Sequence, residues 1–433
     1  MRNLQLKELS MLLKEFVLGG KFLKKSPYWS RDELLEWQWQ KIRLMVTHAF
    51  ENRSFYQKHY QSAGFEPGDL KSWDDFHQLP LVTKDDVIQN YPDGMLEKGH
   101  NLDELIVSRS SGSSGKVLDI CFDSKGMVLF SLAGLRLYQM AFPYKPWHRQ
   151  VYVYTSSYPF DSLFGMYPMH FVPTLTPIPE IIDRLIKINP HLLVCYPSHL
   201  KQIVADMTAE QISQLQLRGV SVNSEMSTQA ERDHLSEVLG CPVLDEYSSE
   251  ELTRIAAQCQ HGAYHLFEDL NYMESQPLPD GQPGDAEVII GTNLHNFAMP
   301  MIRYVQNDLG RYVDKKCPCG WKFRQLVQLQ GRKNDSFLMP SGKEISSGFL
   351  LDATYEILLT WRTAVYDFCL VQESLEQIHL EVVKGAGWNE EIKSKIIGQF
   401  SNYFETGVNF KISEVAECTK TRSGKRNPII RRF

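Results

Sequence analysis

The feature that most constrains this chain is an alternation from Leu102 to Gly291, in which short runs rich in Val, Ile and Tyr take turns with helix-length stretches. The runs are Leu105-Ile106-Val107, Val151–Tyr154, Leu192–Tyr196, Val220–Val222, Val243–Tyr247 and Glu287–Ile290. Such alternation predicts an α/β fold, with mostly parallel sheet covered by helices. Upstream, Leu34, Leu35, Trp37, Ile42, Val46 and Phe50 recur at spacings near three and four, one buried helical face between about Ser30 and Gly64. Past Phe349 the pattern changes. A helix to Leu359, strands near Tyr366–Val371 and Ile378–Val383, a helix from Asn389 to Tyr403 and a strand at Asn409–Val415 make a small α+β unit. The expected division is a large N-terminal domain, 1–331, and a small C-terminal domain, 332–433. The link falls at Gly331 to Asp335, ahead of the hairpin signal Ser341-Gly342.

Charge removes one class of partner. Lys and Arg total 46 against 52 Asp and Glu, a net charge of −6, so no basic excess exists to hold a nucleic-acid backbone by counterion release. Apolar runs such as Val288-Ile289-Ile290 and Met11-Leu12-Leu13 stop far short of the roughly 20 residues a membrane span takes. Lys14 and Glu15 interrupt the apolar part of Met1–Lys25, and no small-residue cleavage site follows, which argues against a signal peptide. A helix packed on the neighbouring domain is expected there; a basic amphipathic helix on a membrane surface is the alternative. Eight cysteines without an export signal imply a reducing, cytoplasmic setting, with thiols or metal ligands in place of disulfides.

Ser108-Arg109-Ser110-Ser111-Gly112-Ser113-Ser114-Gly115-Lys116 is the densest run of small residues. Small side chains let backbone N–H groups converge on an anion, hydroxyls add donors and Lys116 supplies countercharge, so the run suits a phosphate. It is not a Walker A loop, because only two residues separate Gly112 from Gly115 and Val117 stands where Ser or Thr would hold magnesium. Val117–Phe122 continues as a strand, so the run joins two strands. A surface linker is its plainer reading.

Four further stretches follow in order: Tyr247-Ser248-Ser249-Glu250-Glu251, Arg303-Tyr304-Val305-Gln306-Asn307-Asp308, Gly331-Arg332-Lys333-Asn334-Asp335 and Ser423-Gly424-Lys425. With the Ser110–Lys116 run, this set resembles the adenylate-forming acyl-CoA synthetase superfamily, and within it the phenylacetate-CoA ligase-like branch that includes CapK proteins. Phe55-Tyr56, Leu79-Pro80-Leu81 and Tyr91-Pro92-Asp93-Gly94 extend the likeness upstream. The resemblance implies that Ser110, Ser111, Gly112, Ser113, Ser114, Gly115 and Lys116 hold the β- and γ-phosphates of ATP, and that Glu251 binds Mg2+. It implies that Tyr247 flanks the adenine, that Asp308 accepts hydrogen bonds from the ribose hydroxyls with Arg332 behind it, and that Lys425 is the catalytic cation between carboxylate and α-phosphate. It also implies a small domain that swings about residue 334, where Asn replaces the usual Asp, first for adenylation and then for transfer to a thiol. Ser248 stands where relatives carry Gly, and Glu250 where they carry Ser or Thr. If residue 248 lines the acyl pocket, a small or hydroxyl-bearing acid is expected. Each residue has a plainer reading: Asp308 as a turn former, Glu251 as the cap of a helix opening near Ser249, Lys425 as part of a solvated basic tail from Lys420 to Arg432.

Cys259, His265, Cys317 and Cys319 supply four soft ligands of the kind tetrahedral zinc takes, the alternative being scattered thiols and a turn histidine. Some phenylacetate-CoA ligase-like proteins carry a similar set, which implies a structural zinc without a catalytic role. Cys121, Cys195, Cys241 and Cys369 read as packing. Tyr154, Tyr158, Phe160, Tyr196, His199 and Glu225 are candidate pocket residues for an aryl or hydroxy acid.

The expected activity is ATP-dependent, AMP-forming ligation of a small carboxylic acid to coenzyme A. The alternatives are an amine acceptor, giving an amide in a polysaccharide-related pathway, AMP transfer to a cofactor hydroxyl, and a nucleotide-binding relative without turnover. A homodimer is left open.

Overall fold

The computed structural model describes residues 6–109, 118–155, 157, 162, 165–278, 285–332, 335–361, 363–419 and 426–433, with 6–12 by backbone alone. The run Ser110–Lys116 expected to bind phosphate, the expected hinge residue Asn334, the pocket candidates Tyr158 and Phe160, and Ser423-Gly424-Lys425 lie outside the described residues.

The chain opens with helices α1 (Leu6–Lys25), α2 (Arg31–Asn52), α3 (Ser54–Ser62), α4 (Trp73–Gln78) and α5 (Lys84–Asn90). Ser30 and Glu33 form a reciprocal cap at the start of α2, whose inner face buries Leu34, Ile42, Met45, Val46 and Ala49. The single helical stretch expected from Ser30 to Gly64 is broken at Arg53, which is extended at φ −129° and ψ 112°. No Gly or Pro marks the break. Arg53 instead donates its guanidinium to the carbonyls of Phe297 (2.6 Å) and Ala298 (3.1 Å), a tertiary contact invisible to local pattern.

Strands β1 (Ile106–Arg109) and β2 (Asp119–Phe122) pair antiparallel, so the Gly/Ser-rich run does connect two strands. Helix α6 (Ser124–Ala141) follows, capped by Asp123, and α1 packs against it with Leu23 buried and Gly19 close to Leu129 and Leu132. Next come β3 (Gln150–Tyr154), β4 (Met169–Pro173), β5 (Leu192–Cys195), β6 (Gly219–Asn223) and β7 (Val243–Ser249), all parallel in the spatial order β4-β3-β5-β6-β7. Their connections carry α7 (Ile178–Ile188), α8 (Pro197–Asp206), α9 (Ala209–Gln214) and α10 (Gln229–Leu239). β5 and β6 are buried along their whole length, which is why their sequences are continuously apolar or small.

Beyond β7 the pairing turns antiparallel. β8 (Thr253–Gln258), β9 (Tyr264–Leu266), β10 (Asn271–Gln276), β11 (Glu287–Asn293), β12 (Tyr304–Val313) and β13 (Gln325–Arg332) extend the sheet in the order β7-β8-β9-β13-β12-β11-β10. The α/β class therefore holds, in the form of one mixed eleven-stranded sheet whose parallel part is confined to five strands.

The remaining chain forms the hairpin β14 (Phe337–Leu338) and β15 (Glu344–Ile345), then α11 (Ser347–Leu359), β16 (Val365–Ser374), β17 (Gln377–Lys384), α12 (Glu390–Phe400), β18 (Asn409–Val415) and β19 (Ile429–Arg431). β18-β17-β16-β19 is a separate four-stranded sheet with its own apolar cluster around Leu350, Phe368, Leu380, Ile396 and Phe400. α11 sits directly on β13: a Cβ on Gly348 would stand 2.5 Å from Gln330 Cα. Among the described residues, no helix is long and apolar enough to cross a membrane.

Candidate active site

The C-terminal ends of β3, β5, β6 and β7 lie side by side, the edge of a parallel sheet at which α/β proteins bind small molecules. Tyr154 ends β3, Tyr196 follows β5, Ser224 and Glu225 follow β6, and Ser248 lies near the end of β7. The side chains converge: the Tyr154 hydroxyl is bonded to Ser224 Oγ, the Tyr154 and Tyr196 rings are 4.6 Å apart, and Thr155 Oγ1 is 3.3 Å from the Tyr196 hydroxyl. His199 donates Nε2–H to the Thr174 carbonyl at 3.0 Å, a structural contact. Glu225 is committed too, accepting the Ser198 N–H (3.1 Å) and the Arg426 N–H (2.6 Å).

On the antiparallel side, the Tyr247 hydroxyl donates to Asp308 Oδ2 at 2.5 Å, and Arg332 Nε lies 3.8 Å from Asp308 Oδ1. Register explains the second contact, since Asp308 and Arg332 are direct partners across β12 and β13. The backbone here is unusual: Asn307, just before Asp308, has φ 60°, and Gly331, just before Arg332, has φ 73°. A Cβ on Gly331 would also meet Met226 Sδ at 2.6 Å and Ser347 Oγ at 2.7 Å, so glycine is required twice over. Burial pushes the Asp308 carboxyl above its ordinary pKa, against Arg332 and the Tyr247 hydroxyl, which pull it down. Burial, then the Asp308 charge, pushes the Tyr247 phenol far above its ordinary value, so it stays a neutral donor.

Glu251 lies in the turn between β7 and β8, not at the start of a helix, and its Oε1 accepts the Tyr304 hydroxyl at 3.0 Å. Neighbouring Glu250 accepts from Ser108 Oγ at 2.5 Å, which ties β1, and with it the hairpin flanking the Ser110–Lys116 run, to this turn. Asp308 is likewise inside a strand, not a turn. The structure thus joins Tyr247, Asp308 and Arg332 in one cluster, and pairs Glu251, in the turn after β7, with Tyr304 on β12. The contacts of Ser108 with Glu250 and Tyr304 with Glu251 carry no separate sequence signal. The Arg-Tyr pair containing Tyr304 was the nearest hint.

The four soft ligands also meet. Cys259 Sγ and Cys317 Sγ are 3.7 Å apart, Cys319 Sγ is 3.1 Å from His265 Nε2, and all four ligand atoms lie within 4.8 Å of one another. Sheet order brings this about: Cys259 follows β8, His265 is central in β9, and β9 pairs with β13, which the Cys317–Cys319 loop feeds. Cys259 and Cys317 each open a turn closed by a glycine at positive φ, Gly262 (76°) and Gly320 (86°), whose N–H groups return to the cysteine carbonyls. His265 Nδ1 donates to the Phe323 carbonyl at 3.4 Å, which leaves Nε2 as the ligand atom. Three thiols and an imidazole at this spacing fit a tetrahedral zinc ion with no open position. Scattered thiols are thereby ruled out, and all eight cysteines are free of disulfides.

Comparison with known proteins follows the same lines. No protein-family model matches the chain. The phenylacetate-coenzyme A ligase of Aromatoleum evansii is 26% identical over 333 residues, 72% of this chain and 73% of that protein. Protein CapK of Staphylococcus aureus is 22% identical over 418 residues, 91% of this chain and 88% of CapK. The fold matches the crystal structure of 2-hydroxyisobutyryl-CoA ligase in the postadenylation state with its acyl-AMP, at TM-score 0.78 and 18% identity over 94% of this chain and 92% of that one. In sequence the chain is similar to phenylacetate-CoA ligases and to CapK, and its fold is that of the adenylate-forming CoA ligases.

Proposed function

We propose that this protein activates a small carboxylic acid as its adenylate with ATP, and transfers the acyl group to coenzyme A. The observation that carries this reading is the Tyr247–Asp308–Arg332 cluster, with Glu251 in the adjoining β7–β8 turn and the row of side chains at the parallel strand ends. In the first half-reaction a carboxylate oxygen attacks the α-phosphorus, the bond to pyrophosphate breaks, and pyrophosphate leaves with the electron pair. Two anions must approach, so fixed positive charge and aligned donors do the catalytic work. Asp308, held by Tyr247 and Arg332, orients the ribose; the Ser110–Lys116 run holds the outer phosphates; Lys425 offsets charge at the reacting oxygens. Glu251 would hold magnesium, which supplies countercharge to the phosphates. In the second half-reaction the thiol sulfur attacks the acyl carbon and AMP leaves. The proposed division is a nucleotide- and acid-binding unit, 1–331, and a unit that carries Lys425, 332–433. A structural zinc held by Cys259, His265, Cys317 and Cys319 completes the reading.

Ser248 on β7 and the Tyr154–Ser224 pair put hydroxyls at the acid end, which favours a short or hydroxyl-bearing acid. The test is pyrophosphate release from ATP and magnesium across phenylacetate, 2-hydroxyisobutyrate, fatty and amino acids, with and without CoA, beside Lys425→Ala. Release should depend on one acid class, collapse by about a hundredfold or more in the variant, and be followed by thioester only with CoA. Release that ignores the acid sinks the proposal, and release without thioester redirects it to an amine or hydroxyl acceptor. Ser248→Gly should shift the preferred acid; an unchanged preference removes Ser248 from the pocket.

A further inference from the structure

Charged groups that this mechanism leaves unused converge where α8, the loop after β6 and the chain following residue 425 meet. Partly buried Glu225 uses its oxygens in two directions: Oε2 accepts the Ser198 N–H in the first turn of α8 at 3.1 Å, and Oε1 accepts the Arg426 N–H at 2.6 Å. The Arg426 side chain is buried on the other side of the junction, where Nη2 donates to the Phe368 carbonyl (2.6 Å) and pairs with Asp367 (2.9 Å), over the Phe368 ring at 4.6 Å. Lys201, further along α8, reaches Asp367 at 3.9 Å. Acid, base, acid and base thus alternate across the contact between the large sheet's helices and the four-stranded sheet. A run of basic residues that would ordinarily be solvated is, at Arg426, a docked element.

We propose that Glu225 is a positioning residue for adenylation: by accepting the Arg426 N–H it holds the segment adjoining Lys425 against the large unit in the first half-reaction, and it releases that segment before the second. The inference rests on the adenylation reading above. A contact made in one of two poses favours only the step that uses that pose. Its removal therefore acts on the two half-reactions in opposite directions, whereas simple loss of folding lowers both.

The experiment uses the full chain, wild type against Glu225→Ala and Glu225→Gln, with three readouts. Amide exchange is followed by mass spectrometry in the segment 426–433; pyrophosphate release is measured with phenylacetate and with 2-hydroxyisobutyrate; CoA-dependent consumption is measured on supplied phenylacetyl- and 2-hydroxyisobutyryl-adenylate. In Glu225→Ala, exchange in 426–433 should quicken and pyrophosphate release fall, each about tenfold or more, with β17 exchange unchanged and adenylate consumption as fast as wild type or faster. Glu225→Gln keeps a carbonyl oxygen for the Arg426 N–H and should recover part of the loss. Equal losses in both half-reactions, or unchanged exchange in 426–433, overturn the proposal. If the wild type releases no pyrophosphate with any acid of the panel above, it is the adenylation reading that fails, and the exchange result still decides whether Glu225 holds the segment.

Discussion

Asp308 is a carboxylate that the fold places at its own expense. Burial raises its pKa in the folded chain, so the folded protein takes up this proton at a higher pH than the unfolded chain does. The stability tied to this group is therefore full below the ordinary carboxylate pKa and is lost as pH rises through the raised value. On the proposed reading nucleotide binding has the opposite sign, because the ribose hydroxyls would need the charged acceptor. As pH falls from 7, thermal stability should gain from this residue while ATP affinity drops, and Asp308→Asn should bind ATP about tenfold more weakly at pH 7 with that pH dependence gone. Calorimetric titration of ATP at stepped pH, beside melting curves, measures both; wild-type affinity in the variant removes Asp308 from the nucleotide site. At this scale the sequence was informative about identity and silent about contact. Asp308 and Arg332 could be singled out in order along the chain, but only the register of two long strands makes them opposite neighbours.

Elements were legible in proportion to how local their causes are. The helices with caps and apolar faces, and the parallel strands buried on both sides, follow from periodicity. Most of the antiparallel half did not, since β9 is three residues long and β12 carries Gln306, Asn307, Asp308 and Arg311 within its span. Those strands nonetheless bring the four candidate zinc ligands together. Protein purified without chelator should contain about one zinc per chain, and Cys317→Ser or Cys319→Ser should lose most of it and melt several degrees lower; metal content far below one in the wild type refutes the site. The junction of α11 with β13 gives a second element-scale expectation. Gly348→Ala drives a methyl into the Gln330 backbone and cannot be absorbed by a side-chain rotation, so it should cost about 1–3 kcal/mol by denaturant unfolding. An unchanged midpoint would falsify the close packing.

For the whole molecule, the proposed mechanism demands two poses of the small unit, and the described pose has Lys201 and Asp367 in contact across the junction. In the double-cysteine protein, closing a short reducible linker between these two positions should block thioester formation, with recovery on reduction, while pyrophosphate release stays at the level of the same protein with the linker reduced. Thioester formation at the wild-type rate in the linked protein rules the swing out. The same pose puts β7 at the seam of the large sheet, its one side paired parallel with β6 and its other antiparallel with β8. Along this strand Tyr247 and Ser248 are adjacent in sequence, and the pairing with β8 shifts register between them. On the proposed reading one residue meets the nucleotide and the next meets the acid. A single-codon change at 248 can then alter what the protein consumes while leaving what powers it untouched, so lineages built on this strand are free to diversify in diet without renegotiating their fuel.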